Sequence, residues 1–248
     1  MSRIVQDILA AFQFLTRLPL VRLKYKPDEL AHAATFFPLV GLAVGAGATG
    51  IYGLLSPHLP AAIIALLIVL FSALITGALH EDGLADAADA FGGGWDKEQI
   101  LDIMKDSRIG SYGALAIVLS VAGRILLLSY LPPASFVQYV ISADVLCRWT
   151  MLPLGAALPR ARENASQGAR IAGKISGISL VVGTLFSFGV VGYLLRISAA
   201  KPIAAALIVM LISGLYYKHR IGGITGDCFG TTSQLTLVAV YLCGVWHR

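Results

Sequence analysis

Apolar and polar positions alternate along this chain in long blocks. Apolar runs cover about 36–55, 61–79, 111–131, 135–158, 175–195, 202–217 and 231–246, most of them close to the twenty residues a helix needs to cross a bilayer. Ahead of them, residues 3–18 repeat Ile4, Ile8, Phe12 and Leu15 at helical spacing beside Arg3, Asp7 and Arg17. That pattern predicts an amphipathic helix lying at the membrane interface and stopped by Pro19. The expected fold is all-α: a polytopic helical membrane bundle of about seven spans, with an amino-terminal amphipathic helix and a cytoplasmic acidic helical loop. It forms one domain over 1–248, with an interfacial segment at 1–32 and a metal- and substrate-binding segment at 80–110. Gly41, Gly45, Gly47, Gly50 and Gly53 in the first run would let a neighbouring helix approach closely, within one protomer or between two in a homo-oligomer.

Composition agrees. The chain is 57% hydrophobic and 13% charged, against about 25% charged in a soluble domain. The net charge of +5 reports cytoplasmic loops rather than nucleic acid once its distribution is considered. With the amino terminus inside, fourteen Lys and Arg fall in the amino-terminal segment and the loops at 80–110, 159–174 and 218–230, against Arg196, Lys201 and Arg248 outside. The inner segments include the linker cations Arg22, Lys24 and Lys26 and the loop cation Arg170. This bias places all the polar loops on the cytoplasmic face of the inner membrane. Cys147, Cys228 and Cys243 show neither CxxC nor zinc spacing and suit reduced thiols. Residues 1–20 carry Asp7, Gln13 and Arg17 and have no cleavage-like end, so no signal peptide is expected.

The chemistry concentrates after the second run. Eight of fourteen acidic residues lie between Glu81 and Asp106. On a helix Asp82, Asp86 and Asp89 (i, i+4, i+7) fall on one narrow stripe. Carboxylates so placed repel one another unless a cation sits among them, and the flanking Ala, Leu and Gly are not those of a solvated face. The span suits two Mg²⁺ ions about 4 Å apart. Glu81 is a further candidate ligand, and His80 is either a base or a hydrogen-bonding partner of a ligating carboxylate. Phe91-Gly92-Gly93-Gly94 should end the helix through a left-handed cap, and Asp96 with Gln99 resembles a capping box opening the next. In that second helix Glu98 and Asp102 read as a solvated face. Lys105, Asp106, Ser107, Arg108 and Gly110, at the mouth of the third run, could hold a phosphate. Arg124 lies within the third run. Asp144 and Arg148, one turn apart in the fourth, are either an internal ion pair or face a polar cavity. Arg160, Arg162 and Lys174 make a basic loop, and Asp227 lies in the glycine-rich loop 222–230, where Asp is usually turn chemistry. No Ser–His–Asp, Cys–His or zinc arrangement is visible among the five histidines.

The run His80-Glu81-Asp82-Gly83-Leu84-Ala85-Asp86-Ala87-Ala88-Asp89 resembles the signature of the cobalamin synthase (adenosylcobinamide-GDP ribazoletransferase) family. Five further pieces match in order: Phe14-Leu15-Thr16-Arg17-Leu18-Pro19, Phe37-Pro38-Leu39-Val40-Gly41, Ile103 to Gly110, Gly173-Lys174-Ile175-Ser176-Gly177 and Gly222-Gly223-Ile224-Thr225-Gly226-Asp227. The resemblance implies an integral membrane, Mg²⁺-dependent enzyme that joins adenosylcobinamide-GDP to α-ribazole, or its 5′-phosphate, and releases GMP. From the acid stripe itself we expect Asp82, Asp86 and Asp89, with Asp227 as a further candidate, to hold one or two Mg²⁺ ions against the diphosphate. Lys105, Arg108, Arg148, Arg160, Arg162 and Lys174 would neutralise the phosphates. Three positions depart from the pattern: Glu81 stands where Leu is expected, and Gln234 and Leu237 stand where acids are expected.

Two other classes compete. CDP-alcohol phosphotransferases also use aspartates on membrane helices, but their pattern wants Arg where Asp86 stands and a second aspartate motif that is absent. A secondary transporter would use Arg124, Asp144 and Arg148 along a path, but it calls for an internal repeat, and none is visible.

Overall fold

The computed structural model describes residues 2–20, 29–162 and 171–246. The linker cations Arg22, Lys24 and Lys26, the loop residue Arg170 and the terminal Arg248 lie outside the described residues. Twelve α-helices carry the described fold: α1 (Arg3–Leu15), α2 (Glu29–Ala33), α3 (Phe37–Leu55), α4 (Ala61–Thr76), α5 (Leu79–Gly93), α6 (Lys97–Ile103), α7 (Ser111–Tyr130), α8 (Phe136–Trp149), α9 (Met151–Ala157), α10 (Gly177–Leu195), α11 (Ala200–Ile221) and α12 (Gly226–Val245). The only β-pairing among the described residues is one parallel bridge between Arg160 and Ile224.

Five helical stretches are long and apolar enough to cross a membrane, or six if the bent pair α4–α5 counts as one. The stretch Gly177–Ile221 has 45 residues, about 67 Å of helix, twice the hydrocarbon thickness. It breaks at Arg196, whose φ is 51°. Both of its far ends return to α9, Gly183 against Leu152 and Gly214 against Leu154. We read it as two passes, which brings the crossings to the seven expected. By contrast α1, at thirteen residues and about 20 Å, is too short to cross and lies along one end of the bundle.

The bundle is apolar outside and polar within. Leu115, Val118, Leu119 and Leu126 on α7, Leu185 on α10 and Leu211 and Leu215 on α11 are exposed, whereas Arg124, Asp144, Arg148 and Gln234 are buried. That inversion fits lipid as the surrounding solvent. Close approach is carried by glycine. A Cβ on Gly41 would lie 2.9 Å from the Val145 Cα, and one on Gly45 2.9 Å from the Ile141 Cα, so α3 and α8 touch backbone to backbone; at Gly50 and Gly53 a Cβ would have none of the described residues within 4 Å.

Three boundaries differ from those the sequence predicts. The second apolar run does not continue to residue 79. Gly77 (φ 65°) and Ala78 (φ 54°) are both left-handed, and α5 leaves α4 at 89°. The acid helix ends at Gly93 with Gly94 extended (φ −94°), not through a left-handed cap; Gly92 lies against the Tyr112 ring and Gly94 against Ile100, where a side chain would collide. The last helix starts at Gly226 instead of about 231, because the Thr225 hydroxyl accepts the Cys228 N–H (3.4 Å) and caps it. Asp227 therefore sits on a helix's first turn and not in a loop. The Asp96 cap is present: its carboxylate accepts the Gln99 N–H at 2.9 Å, while Gln99 Oε1 accepts the Trp95 N–H.

Candidate active site

The turn at Gly77-Ala78 lays α5 across the bundle end where α7 and α12 begin. Its contact with α12 is glycine on glycine. A Cβ on Gly83 would lie 3.0 Å from the Asp227 Cα, and one on Gly230 3.1 Å from the His80 carbonyl oxygen. Thr231 Oγ1 donates to the Gly83 carbonyl (3.1 Å) and fixes the crossing. Asp82 and Asp227, far apart in sequence, thus line one cavity of about 420 Å³, shared with His80 and with Gln13, Thr16 and Arg17 at the end of α1. Gly83→Ala tests this crossing. Alanine relieves a helix penalty of about 1 kcal/mol but drives a methyl into the α12 backbone, which cannot move without carrying Asp227 with it. The expected outcome is a thermal midpoint within a few degrees of wild type and at least a tenfold loss of turnover, read by comparing unfolding curves with initial rates.

Asp86, one turn beyond Asp82, is half-buried. Burial first, then the charges of Asp82, Asp227 and Asp89, push its carboxyl up to about 6. The other three carboxylates therefore all act on Asp86. Asp89 is fixed at the far end: Oδ2 accepts the Gly110 N–H (2.7 Å) and Oδ1 the Gly113 N–H (2.8 Å), capping α7. Each oxygen keeps a second lone pair for another partner.

The remaining candidates divide. Glu81 turns away from the stripe and into the bundle, where Oε1 accepts from Arg124 Nη2 at 2.9 Å. Arg148 Nη1 donates to Asp144 Oδ1 at 2.8 Å, so its charge is answered inside the protein. His80 is buried with Nε2 unpartnered; no bond to a ligating carboxylate is made from that nitrogen. Lys105 pairs with Asp102 (2.8 Å) and Arg108 with Asp106 (2.6 Å), all outside the bundle; the hydrogen bonds from Arg108 hold the Asp106 carboxyl at about 2. Ser107 is exposed beside them. Their loop nevertheless ends on the acid helix through the Gly110–Asp89 bond. The basic loop reaches the same region through the backbone: Ala161 N–H donates to the Ile224 carbonyl (3.1 Å) and Ile224 N–H to that of Pro159 (2.9 Å). Arg160 lies in that bridge, and Arg162 Nη1 donates to the Leu101 carbonyl (3.1 Å). Lys174 is exposed just before α10.

Among the described residues no three His, Cys, Asp or Glu groups stand close enough to ligate one ion by themselves. The donor set fits Mg²⁺ all the same. Mg²⁺ prefers hard oxygen ligands, retains several waters and is usually held by one or two carboxylates together with substrate phosphates. A helix stripe whose middle carboxyl is pushed up by burial and then by three neighbouring carboxylates has room for a positive charge.

Arg17 is absent from the residues that sequence reasoning selected, and so are the deep partners Arg124 and Glu81 as a pair. Arg17 was visible as a charge of the amphipathic segment and as part of the matched Phe14–Pro19 motif; nothing in its spacing links it to Asp82.

A family profile described as cobalamin-5-phosphate synthase matches residues 7–245. A Polaromonas sp. protein named adenosylcobinamide-GDP ribazoletransferase is 38% identical, over 97% of this chain and 96% of its own length. Proteins of the same name from Leptospira interrogans and Vibrio cholerae are each 37% identical over 94% of this chain and 92% and 91% of their own lengths. No solved structure matches. With the profile and these relatives covering nearly every residue, the chain belongs to the cobalamin-5-phosphate synthase family of transferases.

Proposed function

We propose that this protein joins adenosylcobinamide-GDP to α-ribazole or α-ribazole 5′-phosphate, giving cobalamin or its 5′-phosphate and GMP, in a Mg²⁺-dependent reaction on the cytoplasmic face of the inner membrane. The observation that carries the reading is the α5–α12 crossing, which sets Asp82 beside Asp227 with Asp86 and Asp89 along the same helix. The Lys and Arg asymmetry supports the cytoplasmic placement.

Asp82, Asp86 and Asp227 would share one or two Mg²⁺ ions, each held by one or two of these carboxylates together with substrate phosphate oxygens, with Asp89 steadied by its two N–H donors at the rim. Bound there, Mg²⁺ would offset charge developing on the diphosphate and its leaving group. The protein's own part is to position the reactants and keep water out. A ribose hydroxyl of the acceptor approaches the cobinamide-side phosphorus as the bond to GMP breaks, and an aspartate of the stripe takes the hydroxyl proton. His80 is a poor base for that step, since burial and the nearby Arg148 lower it to about 3. Arg162, whose charge acts on Asp227, and Lys105, Arg108, Arg160 and Lys174 on the neighbouring loops would favour the anionic substrates. The corrin must stay outside a cavity of about 420 Å³, a size that encloses a drug-sized moiety.

Protein reconstituted in liposomes should release GMP from adenosylcobinamide-GDP only when an acceptor and Mg²⁺ are both present. CDP-diacylglycerol with alcohols should yield no CMP. GMP-free mixtures in the first case, or CMP in the second, would overturn the proposal.

A pH effect follows from Asp86. Its folded-state carboxyl is raised above its unfolded value, so the folded protein binds the extra proton between about 4 and 6 and loses stability as pH rises through that window. Measured against Asp86→Asn, which keeps the opposing slope that the lowered His80 contributes, metal-free wild-type protein should therefore lose melting temperature from pH 5 to pH 7. Mg²⁺ should raise the melting temperature at pH 7 and have little effect at pH 5, where the proton competes. Equal Mg²⁺ shifts at both pH values would contradict the assignment.

A further inference from the structure

We propose that Arg17, at the end of α1, is a phosphate-binding residue of the cavity lined by Asp82 and Asp227. The role rests on the transferase reading above, since it supplies the cation for a phosphate that the aspartates alone would repel.

The position of Arg17 is built. Its backbone N–H donates to the Ile75 carbonyl at 2.7 Å, tying the end of α1 to the last turn of α4. Its side chain then runs across the α4–α5 break directly over Gly77. A Cβ there would meet the Arg17 stem, at 2.8 Å from Cγ and 3.0 Å from Cδ. Glycine at 77 thus serves twice: it takes the left-handed φ of 65° that turns the chain into α5, and it leaves a channel for this side chain. Arg17 reaches the same cavity as Asp82 and Asp227, yet it forms no ion pair with either, or with any other described carboxylate.

Most arginines near the site are already engaged, whereas Arg17, like Arg160 on the basic loop, pairs with no described carboxylate. Arg124, Arg148 and Arg108 are paired with Glu81, Asp144 and Asp106, and Arg162 donates to a backbone carbonyl. A guanidinium in a cavity whose other charges are carboxylates, but bonded to neither, is suited to a ligand that brings its own negative charge and a metal to bridge to the acids. The planar fork matches two phosphate oxygens at once. His80 provides a second, independent sign that the cavity expects a polar occupant: it lines the same space, is only 4% exposed, and its Nε2 has no partner. A buried polar atom left in that state is costly unless a ligand or water meets it.

The phosphate has two possible sources, the diphosphate of the donor and the 5′-phosphate of the acceptor, and the test separates them. Arg17→Gln and Arg17→Lys both preserve the backbone bond to Ile75. Steady-state rates would be measured with adenosylcobinamide-GDP against α-ribazole and against α-ribazole 5′-phosphate, and GDP binding would be measured by calorimetry without turnover. Arg17→Gln should raise KM at least tenfold for the phosphate it grips with kcat changed less than threefold, and Arg17→Lys should recover part of the loss. A rise for adenosylcobinamide-GDP with both acceptors, with weakened GDP binding, assigns the donor diphosphate. A rise confined to α-ribazole 5′-phosphate assigns the acceptor. Wild-type KM values and GDP affinity in Arg17→Gln would overturn the proposal. If wild-type protein releases no GMP but binds GDP in an Arg17-dependent way, the transferase reading fails and the phosphate site stands.

Discussion

Asp82→Asn is expected to lower turnover by about 10²–10³-fold, the range seen when one electrostatic stabiliser of a developing charge is removed, with Asp227→Asn close behind. The two residues are far apart in the chain and meet only because Gly83 and Gly230 let α5 and α12 touch. Asparagine keeps the shape and one oxygen but removes the negative charge that a divalent cation needs. Neither change should cost the fold much, since Asp82 is exposed to the cavity and removing one member of a repelling set relieves strain. Asp89→Asn should behave differently: its carboxylate also caps α7, so its loss should lower the melting temperature as well as the rate. Rates alongside unfolding curves in detergent separate the two effects. Wild-type turnover in Asp82→Asn and Asp227→Asn together would remove the basis for the metal site.

The second large effect is on stability. Glu81, Arg124, Asp144 and Arg148 are 8%, 3%, 4% and 2% exposed and form two ion pairs, with Glu81 Oε2, Arg124 Nε and Arg148 Nε unpartnered. Removing one member leaves a buried charge uncompensated, at a cost of about 3–5 kcal/mol. Arg124→Met and Glu81→Leu should therefore each unfold at markedly lower denaturant. The double variant should recover most of the loss, because exchanging both charges for apolar side chains avoids desolvating either. A double-mutant cycle in an unfolding titration measures this coupling. Additive losses would mean that the two side chains do not interact. Because Glu81 adjoins Asp82, the pair also ties the start of α5 to α7.

Much of this was legible in the sequence, and the remainder was hidden for identifiable reasons. Span positions follow from apolar run length, and the acid stripe from its i, i+4, i+7 spacing. Asp144 with Arg148 was readable as a pair because the two are four residues apart on one helix. Glu81 with Arg124 was not, since their meeting depends on α5 turning back against α7. That turn is encoded by Gly77-Ala78, where alanine gives no warning of a left-handed backbone. Asp227 looked like loop chemistry because four glycines surround it, and a single hydroxyl, Thr225, converts the segment into a helix start. Arg17 shows the same limit: its charge was evident, but its nearness to Asp82 depends on how α1 folds back over the α4–α5 break.

Divalent-ion binding itself provides the most direct test. Mn²⁺ titrated into purified protein and followed by electron paramagnetic resonance, with and without GDP, reports the free ion without any turnover. Wild-type protein should sequester Mn²⁺, more tightly with GDP present, and Asp82→Asn/Asp86→Asn should leave it free. Superimposable titrations for the two proteins would contradict the claim that this stripe of carboxylates holds a cation against a diphosphate.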